Sequence, residues 1–383
     1  MRLTGKGLAP AEVATLAECM SDAQDRVYFL DWLRVGALGL LILYHCELPY
    51  VAHDWVVRAP GQVDQVSWLF KFISEWQMAL LFLVAGAALR FSVARDGPHG
   101  ALRQRILRIG PPIVFGALLL TPLQQVAAAI NHQDISRMAQ GHAIFQHVWF
   151  LPFLLFYVAL SSALFARAPR VSARLDALAL RAVRGPMALG ALIVILVVAA
   201  IAQLHTVRSY AIWSDVAGHI RYGGMFLLGF HAGAVLWERL TALRAPALGL
   251  LVAAAIAKIG IDGGAHMTAN AVASAIFGAM TIAVLCGFGR LYLNRRSALL
   301  TRANRAVMPI YLFHQPIAAL LVPGLAAAHW PVAAERIALV FATAAISYAL
   351  YRLFDMTRLR ALVGLGPPPR RQPAANLALH VPP

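Results

Sequence analysis

The chain alternates between long apolar runs and short polar segments that are rich in arginine. A helix needs about 20 predominantly apolar residues to cross the hydrocarbon core of a bilayer. Runs of about this length occur at 29–48, 72–92, 109–129, 146–166, 187–204, 219–237, 246–262, 270–289, 306–327 and 335–354. The pattern therefore predicts an all-α integral membrane protein with about ten transmembrane helices.

Charge differs systematically between the loops. Basic residues concentrate in the N-terminal segment, in the tail and in every second loop, beginning with the loop between the second and third spans. Because cytoplasmic loops carry an excess of Lys and Arg, both termini are predicted to be cytoplasmic. The sequence thus divides into a cytoplasmic N-terminal segment at 1–28, a transmembrane domain at 29–354 and a cytoplasmic tail at 355–383. The proline-rich end of this tail is typical of disorder.

Composition supports the membrane assignment. Hydrophobic residues make up 60% of the 383 residues and charged residues only 13%, with a mean hydropathy of +0.68. The net charge of +16 would suit nucleic acid in a soluble protein, but its location in alternate loops makes it a topology signal. The spacing of the 3 cysteines suggests neither a zinc site nor a disulfide framework, and no other motif predicts a metal.

The first predicted span carries ionisable residues, which are costly in lipid and therefore suggest function. Asp31 and Arg34 lie near its cytoplasmic end, and His45 lies toward its outer end. Arg34 and His45 are eleven residues apart, which is about three helical turns. They therefore share one helix face and lie about 16 Å apart.

A neutral imidazole at His45 can act as a general base that takes a proton from a hydroxyl attacking a thioester. Two structural alternatives remain open. His45 could instead be a hydrogen-bond donor between helices. Arg34 could extend its side chain to the headgroups and pair with Asp31 at i−3.

Other polar residues mark further spans. Arg105 and Arg108 belong to a cluster of guanidinium groups that suits the phosphates of coenzyme A, although arginines at a cytoplasmic helix end are also ordinary topology anchors. Trp149 has the position of an aromatic anchor at the membrane interface. The remaining candidates are Glu75, unusual in an apolar run, and the helical neighbours Tyr311 and His314.

Several motifs together resemble those of the acyltransferase-3 family of integral membrane proteins. In chain order they are Leu30-Asp-Trp-Leu-Arg34 through His45, Ala79–Gly86, Arg105-Ile-Leu-Arg108, His147-Val-Trp149-Phe-Leu and Pro309-Ile-Tyr311-Leu-Phe-His314. They resemble the family's basic-x10-His signature, its Phe-rich run, its Arg-x-x-Arg, its Trp-Phe-Leu helix start and its late Tyr-x-x-His. The first of these looks closest to the branch that includes the periplasmic glucan succinyltransferase.

The resemblance implies a multi-pass acyltransferase of the bacterial inner membrane. Acyl-coenzyme A would be the co-substrate, with no bound cofactor, and the acceptor would be a hydroxyl of a periplasmic or lipid-linked glycan. Carried onto this chain, the resemblance makes His45 and Arg34 catalytic and makes Arg105 and Arg108 donor-binding. It leaves a set of site-lining candidates, which are Asp31, Glu75, Trp149, Tyr311 and His314.

Two other function classes remain open at this point. A transporter of a lipid-linked glycan or small molecule would also carry intramembrane charges on many helices, although the sequence shows no inverted repeat. A non-catalytic scaffold would tolerate the loss of His45. Release of free coenzyme A by the purified protein would separate the enzyme from the transporter, and unchanged glycan acylation in His45→Ala would indicate the scaffold.

Overall fold

The computed structural model of the protein describes residues 27–51, 55–60, 72–131, 145–206, 212–261 and 266–366. Within these ranges the chain is helical apart from short connections, and it contains no β-strand. The predicted all-α architecture is therefore confirmed. Most of the predicted N-terminal segment and the end of the tail lie outside the described residues.

The main helices follow one another in a simple order. They are α1 Tyr28–Val51, α2 Gln77–Phe115, α3 Thr121–Ile130, α4 Phe150–Arg167, α5 Pro169–Ala182, α6 Met187–His205, α7 Gly224–Ala242, α8 Arg244–Gly260, α9 Met267–Leu293, α10 Ala298–Ala327 and α11 Val332–Met356. Shorter elements connect or extend them, namely the π-helical turns Gly116–Leu120 and His219–Gly223 and the 3-10 turns Gln146–Trp149 and Arg358–Val363.

In the described part of the chain, 7 helical stretches are long and apolar enough to cross a membrane, and a bent pair raises this number to 8. The sequence predicts about ten, and the difference arises at two places. The predicted spans 72–92 and 109–129 lie in one helical stretch, Phe72–Ile130. The spans 219–237 and 246–262 correspond to two helical segments. These are Val216–Ala242, which contains α7, and α8, and the axes of the two segments meet at an angle of 77°.

The long stretch Phe72–Ile130 is interrupted at Gly97. This residue has φ 70° and ψ 166°, a conformation that is open to glycine and rare for other residues. Pro98 follows it and has no backbone N–H group to donate to a helical hydrogen bond. The helix therefore breaks between the predicted second and third spans, beside the arginine-rich segment.

The outside of the bundle is apolar. Leu118, Ile259 and Phe341 each expose more than 70% of their surface, with values of 73%, 72% and 72%. Apolar surface of this extent is unfavourable in water and suits contact with lipid chains. The described helices thus form a multi-pass membrane protein.

Small residues bring α2 and α7 together inside the bundle. A Cβ atom at Gly86 would overlap the carbonyl oxygen of Phe226, and one at Gly229 would overlap that of Leu83. Without side chains at these two positions the helix backbones touch directly, which is a common packing device in membranes. The α2–α7 contact forms the centre of the hydrophobic core.

Helix α10 packs beside α1 and α11 and contains three interior prolines. Pro309, Pro316 and Pro323 are spaced seven residues apart, so they lie on nearly the same side of the helix. A proline has no N–H group, and the carbonyl four residues earlier therefore lacks its helical partner.

The ordered chain continues past the boundary predicted at residue 354. Helix α11 ends at Met356, and the 3-10 turn Arg358–Val363 follows it. Val363 and Leu365 are buried, while Gly364 packs against the backbone carbonyl of Arg108. This short segment after α11 therefore packs on α2.

Candidate active site

Two histidines from distant parts of the sequence meet between α1 and α10. The Nδ1 atom of His45 lies 3.1 Å from the Nε2 atom of His314. The two ring centroids are 4.9 Å apart. His314 is completely buried, whereas His45 keeps part of its surface exposed. His45 is therefore the more accessible member of the pair.

The hydrogen-bond partners of these two rings define their neutral tautomers. His314 Nδ1 lies 2.7 Å from the carbonyl oxygen of Tyr311 and 3.2 Å from that of Ile310, so Nδ1 must donate and Nε2 accepts. His45 Nδ1 then donates to His314 Nε2 and to the carbonyl oxygen of Leu41, which is 3.0 Å away. The lone pair of His45 is consequently on Nε2, as a general base requires.

A third histidine, His147, supports this pair from the turn before α4. Its Nε2 donates to the carbonyl oxygen of Leu312 at 2.9 Å, the carbonyl that Pro316 leaves without a helical donor. Its Nδ1 accepts from the side-chain amide of Gln124 at 2.8 Å. Because both ring nitrogens are engaged, His147 holds the helices together and does not compete with His45 for a substrate proton.

The support extends through two more side chains of α10. The amide of Gln315 donates to the amide oxygen of Gln124 at 2.9 Å. The hydroxyl of Tyr311 donates to the backbone carbonyl of His147. Tyr311, predicted to line the site, therefore fixes the start of α4 against α10 beside the histidine pair.

Arg34 lies in a second polar cluster between the same two helices. Its Nη1 is 3.2 Å from the carboxylate of Asp31 and 3.4 Å from the amide oxygen of Asn304. Asn304 also donates to Asp31 at 2.9 Å. Helix α10 thus contacts α1 at two places. Asn304 of α10 contacts Arg34 of α1, and His314 of α10 contacts His45 of α1. Arg34 and His45 accordingly lie on one face of α1.

Arg105 and Arg108 approach this cluster from α2. Arg105 is close enough to Arg34 and Arg108 to interact with both electrostatically, and its Nη2 lies 3.4 Å from the hydroxyl of Ser92. Arg108 in turn interacts with Asp31. The guanidinium groups outnumber the carboxylate among them, so the cluster is positive and suits a ligand with several phosphates.

Two predicted lining residues belong to other groups. The carboxylate of Glu75 lies 2.9 Å from Nζ of Lys258, which also contacts the hydroxyl of Ser274. This forms a largely buried ion pair between α8, α9 and the start of the second span. The ring of Trp149 packs against that of Tyr222, with centroids 5.2 Å apart, within an aromatic cluster.

Sequence reasoning did not assign several residues that shape the site. His147, Gln124, Gln315 and Asn304 all contact a predicted site residue or its support. The signal that marks them is general, since each is a polar side chain in or beside an apolar run and needs a partner there. The sequence contains that signal but does not show which residues are partners.

The fold and the site define a multi-pass membrane protein with a histidine pair between α1 and α10 and a cluster of arginines from α1 and α2. Residues 27–352 match the acyltransferase-3 family, through a domain described as an acyltransferase domain. The chain belongs to this family and is a membrane acyltransferase. The family predicted from the motifs is therefore confirmed.

Individual relatives are more distant. The chain is similar to glucans biosynthesis protein C of Salmonella gallinarum, with 26% identity over 319 residues, which cover 76% of this chain and 82% of that protein. The proteins of the same name from Salmonella typhi and Salmonella typhimurium are 26% identical over 321 residues, with the same coverage. No solved structure gives a significant match.

Proposed function

We propose that the protein transfers an acyl group, such as acetyl or succinyl, from acyl-coenzyme A to a hydroxyl of a periplasmic or lipid-linked glycan. The observation that carries the proposal is the engagement of His45 Nδ1, which lies 3.1 Å from His314 Nε2 and 3.0 Å from the carbonyl oxygen of Leu41, because it leaves the basic lone pair on His45 Nε2. Similarity to proteins named for glucans biosynthesis supports a glycan as the acceptor.

The proposed reaction is a direct transfer. The acceptor hydroxyl oxygen bonds to the carbonyl carbon of the thioester while His45 Nε2 takes the hydroxyl proton. The tetrahedral intermediate then expels the coenzyme A sulfur, and His45 gives the proton to it, so that an ester and free coenzyme A remain. Between these steps His45 is positively charged, and its Nδ1–H bond to His314 stabilises that charge.

The arginine cluster provides the donor side of the proposal. Arg34, Arg105 and Arg108 would bind the phosphates of coenzyme A, for which planar guanidinium groups are well suited. Arg34 lies about 16 Å along α1 from His45, a separation that an extended pantetheine arm can bridge. The thioester would then reach His45 while the nucleotide stays at the arginines.

The proposed topology has ten crossings in the inner membrane and both termini in the cytoplasm. Two observations support the higher count, which are the break at Gly97 and the bend of 77° between the α7 segment and α8. Each divides a stretch that contains two predicted spans. The arginine cluster would face the cytoplasm, where acyl-coenzyme A is made, and His45 would lie toward the outer side.

Mass spectrometry of periplasmic and surface glycans tests the function directly. A deletion strain is compared with strains complemented by the wild type, by His45→Ala and by His205→Ala. His205 is an exposed histidine at the end of α6 and serves as a matched control. We expect one acyl mass to disappear on deletion and to return with the wild type and the control only. Full restoration by His45→Ala would refute the general base.

The purified protein tests the donor site. Arg105→Gln and Arg108→Gln are expected to raise the KM for acyl-coenzyme A with a smaller effect on kcat, because they remove binding that is common to ground state and transition state. Arg295→Gln, at an exposed arginine of another basic loop, is the matched control. An unchanged KM in both test variants would show that these arginines do not bind the donor and act only as topology anchors.

A further inference from the structure

Helix α5 differs from the other helices in its position. It joins the end of α4 at Arg167 to the start of α6 at Met187, and both of these helices can cross the membrane. With 14 residues, several of them arginines, α5 is too short and too polar to cross the bilayer, so the two ends that it joins lie on the same side. Helix α5 therefore lies at the membrane surface.

One face of α5 packs on the protein. At about 100° per residue, Ser172, Asp176 and Ala179 fall within about 60° of one another around the helix. Ser172 is buried, and Ala179 packs against the hydrophobic core. The carboxylate of Asp176 is 2.7 Å from Nδ1 of His231 and 3.2 Å from Nη2 of Arg90. These bonds to α7 and α2 fix the rotation of α5 about its own axis.

The opposite face combines arginines with apolar side chains. Val171 and Leu178 are 43% and 62% exposed, although both are large and apolar. They lie together because they are seven residues apart. Three exposed arginines of α5, which are Arg170, Arg174 and Arg181, lie beside them, and the exposed Arg167 and Arg184 flank the two ends of the helix.

We propose that this face of α5, the arginine face, binds the headgroups of anionic phospholipids. Its charge is complementary to such lipids, because the acidic residue of α5, Asp176, points inward to Arg90 and His231. The exposed Val171 and Leu178 favour a lipid over a soluble phosphate, since they can enter the acyl boundary while the arginines contact phosphates.

Lipid proximity can be measured on the full-length protein. A fluorescent bimane label is placed at Leu178→Cys in a Cys19→Ser background, since Cys46 and Cys286 are buried. The protein is reconstituted in phosphatidylcholine vesicles that contain either spin-labelled phosphatidylglycerol or spin-labelled phosphatidylcholine as the quencher. We expect stronger quenching by phosphatidylglycerol, and we expect salt to weaken this preference because exposed charges are screened.

Charge removal then locates the effect. The triple variant Arg170→Gln, Arg174→Gln and Arg181→Gln should abolish the preference, since each arginine near a charged surface contributes a factor of about five in affinity. The matched control removes the same charge elsewhere, with Arg295→Gln, Arg296→Gln and Arg302→Gln, all exposed in the wild type. This control should keep the preference.

Three outcomes would overturn the proposal. Absence of quenching by either lipid would show that the arginine face is not in contact with the bilayer. Equal quenching by both lipids in the wild type would show that anionic lipid is not selected. A preference that survives the α5 triple variant would place the selectivity elsewhere. Circular dichroism and the thermal midpoint of each variant verify that the fold is retained.

Discussion

Replacement of His314 gives the most informative test of the histidine pair. His314→Leu removes the Nε2 acceptor, which lies 3.1 Å from His45 Nδ1. The leucine side chain still fills this fully buried position. His314→Gln is the matched variant, because an amide oxygen can take the place of Nε2 as the acceptor. The two variants therefore separate loss of the hydrogen bond from disturbance of the packing.

The structure sets the size of the effect. The carbonyl oxygen of Leu41, 3.0 Å from His45 Nδ1, remains as an acceptor in His314→Leu and keeps the correct tautomer. The loss of about 10⁴-fold that follows a wrong tautomer is therefore not expected. What disappears is one hydrogen bond to a charged imidazolium, worth about 1.5–3 kcal/mol. This corresponds to a decrease in kcat of roughly 10- to 150-fold.

The assay follows the release of free coenzyme A by purified protein in nanodiscs, with the donor and acceptor that the glycan analysis identifies. We expect kcat to fall in His314→Leu and to recover in part in His314→Gln, with the KM of both substrates nearly unchanged. An unaltered kcat in His314→Leu would refute the proposal that His314 stabilises the charged imidazolium of His45. An equal loss in both variants would indicate a packing effect instead.

Two further predictions concern the stability of the bundle. Gly86→Ala should lower the thermal midpoint by forcing α2 away from α7, at a cost of about 1–3 kcal/mol. Gly36→Ala, on an open face of α1, should be neutral, and equal midpoints for the two variants would contradict the close approach. Lys258→Met should cost about 3–5 kcal/mol because it leaves Glu75 buried without its counter-ion. The double variant with Glu75→Leu should recover most of that loss, and a double variant as unstable as Lys258→Met would contradict the ion pair.

The sequence predicts the features of this protein that depend on local pattern. The apolar runs predict helices, and the eleven-residue separation predicts that Arg34 and His45 share a face of α1. The Arg-x-x-Arg segment with Arg105 is correctly expected to carry clustered charge. Each of these inferences needs only the period of one helix or the composition of one segment.

Features that depend on contacts between distant helices were not predictable in the same way. His314 is 269 positions from His45, and no helical period relates them. Glu75 stands out as an acidic residue in an apolar run, but its partner Lys258 is 183 positions away. The sequence therefore shows that such groups need partners, and the packing of the helices decides which partners they find.

The prolines of α10 have a mechanical consequence. Pro309, Pro316 and Pro323 lie along nearly one side of the helix, so the backbone is weakened on that side and will bend most easily in one plane. Asn304, which contacts Arg34, precedes the first proline, whereas His314, which contacts His45, follows it. A bend at Pro309 would act as a hinge between the two clusters. Movement of the arginine end would then tilt the histidine end.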